Sequence, residues 1–150
     1  MGKTSSGRGE RTRTILRWLL VAAYAFAGYV HVHNPHFFMP VMPDWVPWPR
    51  ETIVGTGLCE IAGAIGLLIP RLRRFAAIML SLYAVCVFPA NIKHMLDFAH
   101  SHGAWTGWLY HGPRMLFQPV IVWWTLFAGG LIDWPFRNKS PSLHAARGRL

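Results

Sequence analysis

The chain has 150 residues, of which 53% are hydrophobic and eight are tryptophan, and its formal net charge is +9. This length suits a single domain, and the apolar content is high for a soluble protein. Nearly all basic residues lie outside four long apolar runs, so the charge asymmetry of a membrane protein accounts for them without a nucleic-acid partner.

The first apolar run, residues 15–32, follows a basic segment and contains one charged residue, Arg17. A run of this length makes about 26 Å of helix, close to the roughly 30 Å hydrocarbon core of a bilayer. It therefore predicts a first transmembrane helix. The alternative is a secretory signal cleaved after Ala27, because the basic segment, the apolar run and the sequence AFA resemble one.

The next segment, residues 33–51, reads HNPHFFMPVMPDWVPWPRE and holds five prolines and four aromatic residues. The prolines exclude a continuous helix, and irregular backbone at membrane depth needs support from protein or a cavity. Aromatic side chains such as Trp45 and Trp48 prefer the water–lipid boundary. We predict an interfacial flap across the outer mouth of a helical bundle.

The second run, residues 53–69, contains Glu60, the only acidic residue within the four runs. A charged carboxylate at the centre of a membrane helix costs about 2.5–3.5 kcal/mol on insertion scales, so it should be protonated or paired. Gly55, Cys59 and Gly63 recur every four residues and predict a stripe of close helix packing.

The third run, residues 75–92, carries Pro89, which removes a hydrogen bond to the carbonyl of Val85 and predicts a bend. Beyond it, Asn91 and His94 share one helix face. The connection that follows, residues 97–113, is predicted to lie outside the membrane.

The fourth run, residues 115–132, predicts the last transmembrane helix, and Arg114 and Gln118 share one face near its outer end. Three segments predicted to face the same side hold 12 of the 15 basic residues. The positive-inside rule places this side in the cytoplasm. These residues are Lys3, Arg8, Arg11, Arg13, Arg17, Arg71, Arg73, Arg74, Arg137, Lys139, Arg147 and Arg149.

The predicted fold class is all-α: an integral membrane, antiparallel four-helix bundle with a Pro/Trp-rich outer flap between helices one and two. Residues 1–14 and 133–150 form basic cytoplasmic tails, and residues 15–132 form the transmembrane domain. The predicted location is a bacterial-type cytoplasmic membrane, crossed several times, with both termini in the cytoplasm.

Several polar residues are expected at a similar depth in this bundle. Two interpretations stay open: the groups satisfy one another and fix the helix order, or they line an outward-facing pocket for a quinone-like headgroup, a small acid or a proton path. The candidates are Glu60, Asn91, His94, Arg114 and Gln118, with His31 as a further ligand-binding candidate.

The histidines and cysteines predict no metal or dithiol centre. HVHNPH and HSH lack a companion cluster of cysteine, methionine or carboxylate at a recognised metal spacing. Haem ligation by His31 and His94 is geometrically conceivable but disfavoured. Cys59 and Cys86 form no C-x-x-C pair and are expected to be buried small apolar residues.

Four stretches together resemble the DoxX-like family of small four-helix membrane proteins: GYVHVHNPHFFMPVMPDWVPWP, GLCEIAGAIGLLIPRLRR, VFPANI and RMLFQPVIVWW. The resemblance covers residues 28–124. The chain departs from the family pattern in the extended connection HMLDFAHSHGAWTGWLYHGP. The family pattern falls on His31, Pro35, Pro43, Pro47, Glu60, Gly63, Pro89, Asn91, Arg114 and Gln118.

The resemblance implies two classes of function, and fold analogy does not decide between them. The first is a non-catalytic membrane partner or assembly component of a larger complex, which the lack of a cofactor motif favours. The second is a redox-linked subunit acting on a quinone or sulfur compound, with Glu60 as proton acceptor and Arg114 as anion partner. Whether the chain is an enzyme stays open. The expected partners are the lipid bilayer and a membrane protein; the cofactor is unassigned, with quinone as the candidate.

Overall fold

The structure is a computed structural model that describes residues 4–135. This part of the chain is helical and contains no β-strand, as the apolar runs predict. Residues 1–3 and 136–150, at the far ends of the two predicted tails, lie outside the described residues. The elements are α1 (Thr4–His33), the 3-10 helix η1 (Pro35–Val41), α2 (Pro49–Leu68), α3 (Arg73–Cys86), α4 (Phe88–His102) and α5 (Ala104–Gly129).

The segment predicted as a flap is more regular than its prolines suggest. η1 takes up residues 35–41, where a short 3-10 helix tolerates Pro35 in its first turn and Pro40 near its end. α2 begins at Pro49. Backbone N–H groups in the first turn of a helix make no intrahelical hydrogen bond, so a proline there costs none. Trp48, just before it, has a left-handed backbone with φ of 47°.

The third apolar run forms two helices instead of one. α3 and α4 meet at Val87, whose backbone stays near helical values (φ −83°, ψ −7°). Pro89 in the first turn of α4 explains this break, since it has no N–H to continue the ladder. The predicted bend is therefore a junction between two helices.

The connection at residues 97–113 is also mostly helical. Its location outside the membrane stays a prediction. α4 continues to His102, and α5 begins at Ala104. Gly103 alone separates them, with φ of +90°, a conformation that glycine adopts without strain. Polar side chains do not stop a helix when they can face outwards, so low hydropathy did not mark a loop here.

Three helical stretches of residues 4–135 are long and apolar enough to cross a membrane: Gly9–His33, Pro49–Leu68 and Arg73–His102. α5 is not among them, since Pro113, Arg114, Gln118 and Pro119 interrupt its apolar sequence. Many large apolar side chains point away from the protein, including Phe26 on α1. Such a surface suits a lipid environment and is costly in water.

The helices pack through small residues. The buried cluster lies between α1, α2, α3 and the end of α5, and it is rich in alanine, which lets helices approach closely. Arg13 and Trp124 hold the start of α1 beside the end of α5: Arg13 Nε donates to Phe127 O (3.0 Å), and Trp124 Nε1 donates to Leu16 O (2.9 Å). The cluster consists of Leu20, Tyr24, Ala64, Leu67, Ala76, Ala77, Leu80 and Ala128.

α1 and α2 come into close contact at two glycines. A Cβ placed on Gly57 would lie 2.8 Å from the carbonyl oxygen of Gly28 and 2.7 Å from the Cβ of His31. A Cβ on Gly28 would lie 2.6 Å from the carbonyl oxygen of Gly57. Because neither position can hold a side chain without moving backbone, the two glycines set the helix separation.

The predicted stripe of Gly55, Cys59 and Gly63 is mostly wrong. Gly63 does pack closely, since an added Cβ would lie 2.5 Å from Leu80 Cδ2, but nothing lies within 4 Å of one on Gly55. Cys59 and Cys86 are exposed rather than buried. The packing face of α2 therefore runs through Gly57, Glu60 and Gly63, rotated away from the cysteine.

Candidate functional site

A cavity of about 310 Å³ lies between α1, α2, the α3–α4 junction and α5, below η1. Its walls are apolar for the most part, and its polar groups converge from four helices. A cavity of this size with a few convergent polar groups has the ordinary character of a small-molecule site. The polar and tyrosine side chains that line it are Tyr24, His31, Thr56, Glu60, Tyr83, Asn91, Arg114 and Gln118.

His31 and Glu60 form the polar centre of this cavity. His31 Nδ1 lies 2.8 Å from the carbonyl oxygen of Ala27, and because a carbonyl can only accept, Nδ1 carries a proton. Glu60 Oε2 lies 3.1 Å from the same nitrogen. The angle there does not meet hydrogen-bond geometry, so Oε2 has no hydrogen-bond partner among the described residues. The contact is an electrostatic one, and Glu60 keeps a free lone pair.

The glycine contact between α1 and α2 explains this proximity. Gly57 lies against the Cβ of His31, and Gly28 lies against Glu60, where an added Cβ would be 3.2 Å from the Cβ of Glu60. Larger residues at either position would push the imidazole and the carboxylate apart. The sequence G-x-x-E in α2 and G-x-x-H in α1 therefore positions the pair.

Arg114, expected as the partner of Glu60, lines the same cavity but makes no such pair. Within residues 4–135, no guanidinium nitrogen lies within 4.0 Å of the Glu60 carboxylate. Arg114 is exposed, whereas Glu60 is 5% exposed. The structure thus gives Glu60 an imidazole neighbour and leaves the guanidinium of Arg114 at the cavity rim.

Asn91 and Gln118 line the cavity from α4 and α5, and Asn91 is buried. His94 does not line it. Its ring lies edge-on against His111 of α5, with ring centroids 4.6 Å apart, and Phe98 contacts the same histidine. The structure therefore brings together five of the six predicted site residues and places His94 in a different contact.

η1 covers the cavity where α1 ends and α2 begins. That this side faces outwards stays a prediction. Phe38, Val41 and Met42 line the cavity wall. The Phe38 ring stacks on the imidazole of His31, with centroids 3.8 Å apart and planes 15° apart. This contact fixes the orientation of His31 and separates it from the exterior.

Two tyrosines were missed from sequence, Tyr24 and Tyr83. Tyr24 lies seven residues before His31 on α1, a spacing that returns to the same helix face. A hydroxyl in an otherwise apolar run is the signal that could have identified both. They add hydroxyl donors beside Glu60 and narrow the apolar part of the cavity.

No group of three or more metal-ligating side chains is close enough to hold a metal within the described residues. The outer histidines are instead spread along helix faces. His33 and His102, for example, contact the backbone carbonyls one turn earlier, those of Tyr29 and Phe98.

One family model matches the chain, and it spans residues 20–128. This range includes every residue that lines the cavity. Neither a curated protein nor a solved structure matches the chain, so the DoxX-like resemblance stays a prediction. Because the match covers more than half of the sequence, the chain belongs to the family described as Domain of unknown function (DUF8561).

Proposed function

We propose that this protein is a multi-pass membrane protein whose cavity binds the polar headgroup of a small amphiphilic molecule, with quinone as the ligand class. The cavity is the observation that carries the proposal. It combines hydrogen-bonding groups at its centre with an apolar wall, the arrangement that suits the headgroup of a small amphiphile.

The membrane part of the proposal rests on the helices. Three stretches have the length and apolar character of membrane spans. α5 would supply a fourth, because its end lies beside the start of α1 and closes the group of helices. α1, α2, the α3–α4 pair and α5 then form an antiparallel four-segment bundle. The positive-inside rule assigns the arginine-rich end to the cytoplasm and η1 to the outer side.

The ligand class follows from the donors and acceptors in the cavity. Quinone carbonyls accept hydrogen bonds, which the side chains of Asn91, Gln118 and Arg114 can donate. The reduced form carries hydroxyls, for which the free lone pair of Glu60 is an acceptor. Phe38, Ile53 and Phe117 provide an apolar wall for a flat ring. Both redox forms of a quinone therefore find partners.

The second candidate is a non-catalytic membrane partner that stabilises or recruits another protein. The first turns of α5 favour it, because Trp105, Trp108 and Leu109 are all largely exposed. In the proposed topology this surface lies at the outer boundary, where exposed aromatic residues also suit lipid headgroups. The cavity has no role in this function, which separates the two candidates experimentally.

The test uses the full-length protein in neutral detergent with a short-tailed ubiquinone analogue as the probe. We expect saturable quenching of tryptophan fluorescence and a higher unfolding temperature in the presence of the probe. His31→Leu should weaken binding roughly tenfold, the effect of losing about 1.4 kcal/mol. His33→Leu is the matched control, since His33 lies on the same helix, is exposed and does not line the cavity.

Absence of saturable binding by the wild-type protein would contradict the proposal. Equal binding by the two leucine variants would also contradict it, because the probe would then sit elsewhere. If the wild-type protein binds no quinone analogue but co-purifies with one protein at a fixed ratio from native membranes, the non-catalytic partner function replaces the first.

A further inference from the structure

A second cavity, of about 280 Å³, lies at the opposite end of the helices. The start of α1, the turn between α2 and α3 and the end of α5 meet there. Five arginines line this space, which we call the arginine pocket: Arg13, Arg17, Arg71, Arg73 and Arg74, together with Glu10.

The charges of the pocket are not balanced by the described residues. Arg13 contacts two carboxylates, those of Glu10 and Asp133. The other four arginines make no ion pair within residues 4–135. Four guanidinium groups around one small cavity repel one another, so an anion in the pocket would stabilise the arrangement.

Two of these arginines are held in place by backbone. Arg17 Nε donates to the carbonyl oxygen of Ala128 (2.9 Å), and Arg73 Nε donates to that of Leu67 (3.1 Å). Each uses one edge of its guanidinium in this way. The terminal nitrogens of both have no acceptor among the described residues, so they remain available as donors to a ligand.

The end of α5 leaves room for that ligand. Gly130 adopts a left-handed backbone with φ of +76° and closes the helix, since its N–H bonds to Phe127 O at 3.1 Å. Nothing lies within 4 Å of the position of an added Cβ. The carbonyls of Phe127 and Ala128 accept from Arg13 and Arg17, which offsets the negative end of the helix dipole.

We propose that the arginine pocket binds a phosphate group. Guanidinium groups bind phosphate oxygens through paired, charge-assisted hydrogen bonds. Basic pockets between helices on the cytoplasmic side of a membrane bind anionic lipid headgroups. A lipid headgroup and free phosphate share this chemistry. The site is separate from the cavity around Glu60, and it does not depend on what that cavity binds.

The test measures binding of phosphatidylglycerol to the full-length protein in neutral detergent, with phosphatidylcholine as the zwitterionic reference. The double variant Arg71→Gln/Arg74→Gln removes two exposed arginines that make no hydrogen bond within the described residues. Affinity for phosphatidylglycerol should fall about 25-fold, because each basic residue near an anionic headgroup contributes roughly fivefold. Phosphatidylcholine should bind weakly to all forms.

The matched control is Arg11→Gln/Arg50→Gln, which removes the same charge from two exposed arginines outside the pocket. Its affinity should change less than about threefold, since distant exposed charges are screened. Arg17→Lys is a further variant, which keeps the positive charge but loses the planar guanidinium with its paired N–H donors. It should weaken phosphatidylglycerol binding without an equal loss of thermal stability.

Added inorganic phosphate identifies the source of the group. Competition by phosphate shows that the pocket accepts the free anion, and tight phosphatidylglycerol binding without competition shows that it requires the lipid. Both results support a phosphate site. Equal affinity for the two lipids, or equal losses in the double variant and its control, would overturn the proposal.

Discussion

At the scale of single residues, Glu60 and His31 act as one unit. Both lie in an environment where an isolated charge is costly, and Nδ1 of His31 lies 2.8 Å from the Ala27 carbonyl oxygen and 3.1 Å from Glu60 Oε2. The infrared band of the Glu60 carboxylate should therefore depend on the imidazole of His31 more than on the guanidinium of Arg114.

Infrared difference spectroscopy tests this dependence. Glu60→Gln identifies the carboxylate band, and this variant should keep the fold because glutamine has nearly the same shape. His31→Leu should shift the Glu60 band, since it removes the imidazole nitrogen that lies 3.1 Å from Oε2. Arg114→Gln should leave the band in place, because no ion pair joins Arg114 to Glu60. A band that responds to Arg114 and not to His31 would contradict this account.

Arg13 stabilises the fold through several contacts at once. Its guanidinium donates to the carbonyls of Phe127 and Ile132 and contacts the carboxylates of Glu10 and Asp133. Arg13→Gln should lower the free energy of unfolding by about 1–3 kcal/mol, because it removes hydrogen bonds to two carbonyls together with the carboxylate contacts.

Thermal unfolding in detergent measures this effect, with Arg11→Gln as the control. Arg11 is an exposed residue on the same helix, so its loss should change the unfolding temperature little. Similar unfolding temperatures for the two variants would show that the Arg13 contacts contribute nothing to stability.

At the scale of helices, apolar runs predicted where long helices form, and Pro89 predicted the break between α3 and α4. They could not predict the start of α5, because residues 104–113 form helix without being apolar. This miss explains why His94 was misplaced. The unexpected first turns of α5 supply His111, and His94 packs against it while Asn91, 60° away around the helix, faces the cavity. The depth of a residue in the bundle and its helix face could be counted from the sequence. Which helix packs against that face could not.

Gly57→Ala tests the contact between α1 and α2. The new methyl group would lie 2.8 Å from the Gly28 carbonyl oxygen and 2.7 Å from the His31 Cβ, so the helices must separate. Such overpacking costs about 1–3 kcal/mol, which exceeds the gain of about 0.5–1 kcal/mol from replacing glycine in a helix. We expect lower thermal stability and weaker binding of the ubiquinone analogue.

Gly55→Ala makes the same substitution two residues earlier, where nothing lies within 4 Å. It should keep or raise stability and leave probe binding unchanged. If both variants behave alike, the close contact between the glycines does not position the site.

At the scale of the whole molecule, the proposed topology places η1 and the start of α5 outside and the turn between α2 and α3 inside. Single cysteines at Pro40, Trp105 and Leu72 test it, in a chain where Cys59 and Cys86 are first replaced by alanine because both are exposed. A membrane-impermeant thiol reagent should label positions 40 and 105 in intact cells and position 72 only after permeabilisation. Labelling of position 72 in intact cells would contradict the topology.

The contact between Gly28 and Gly57 also has a consequence for motion. At this contact backbone lies against backbone, with no side chain between the two helices that could rearrange, so α1 and α2 should move as one rigid body. On the other side of the cavity, the chain can bend at Val87, between α3 and α4, and at Gly103, between α4 and α5. α5 also contains Pro113 and Pro119, each of which removes a backbone hydrogen bond. We therefore expect α4 and α5 to swing while α1 and α2 stay fixed. The rate at which a molecule exchanges between cavity and surroundings would then be set by those hinges.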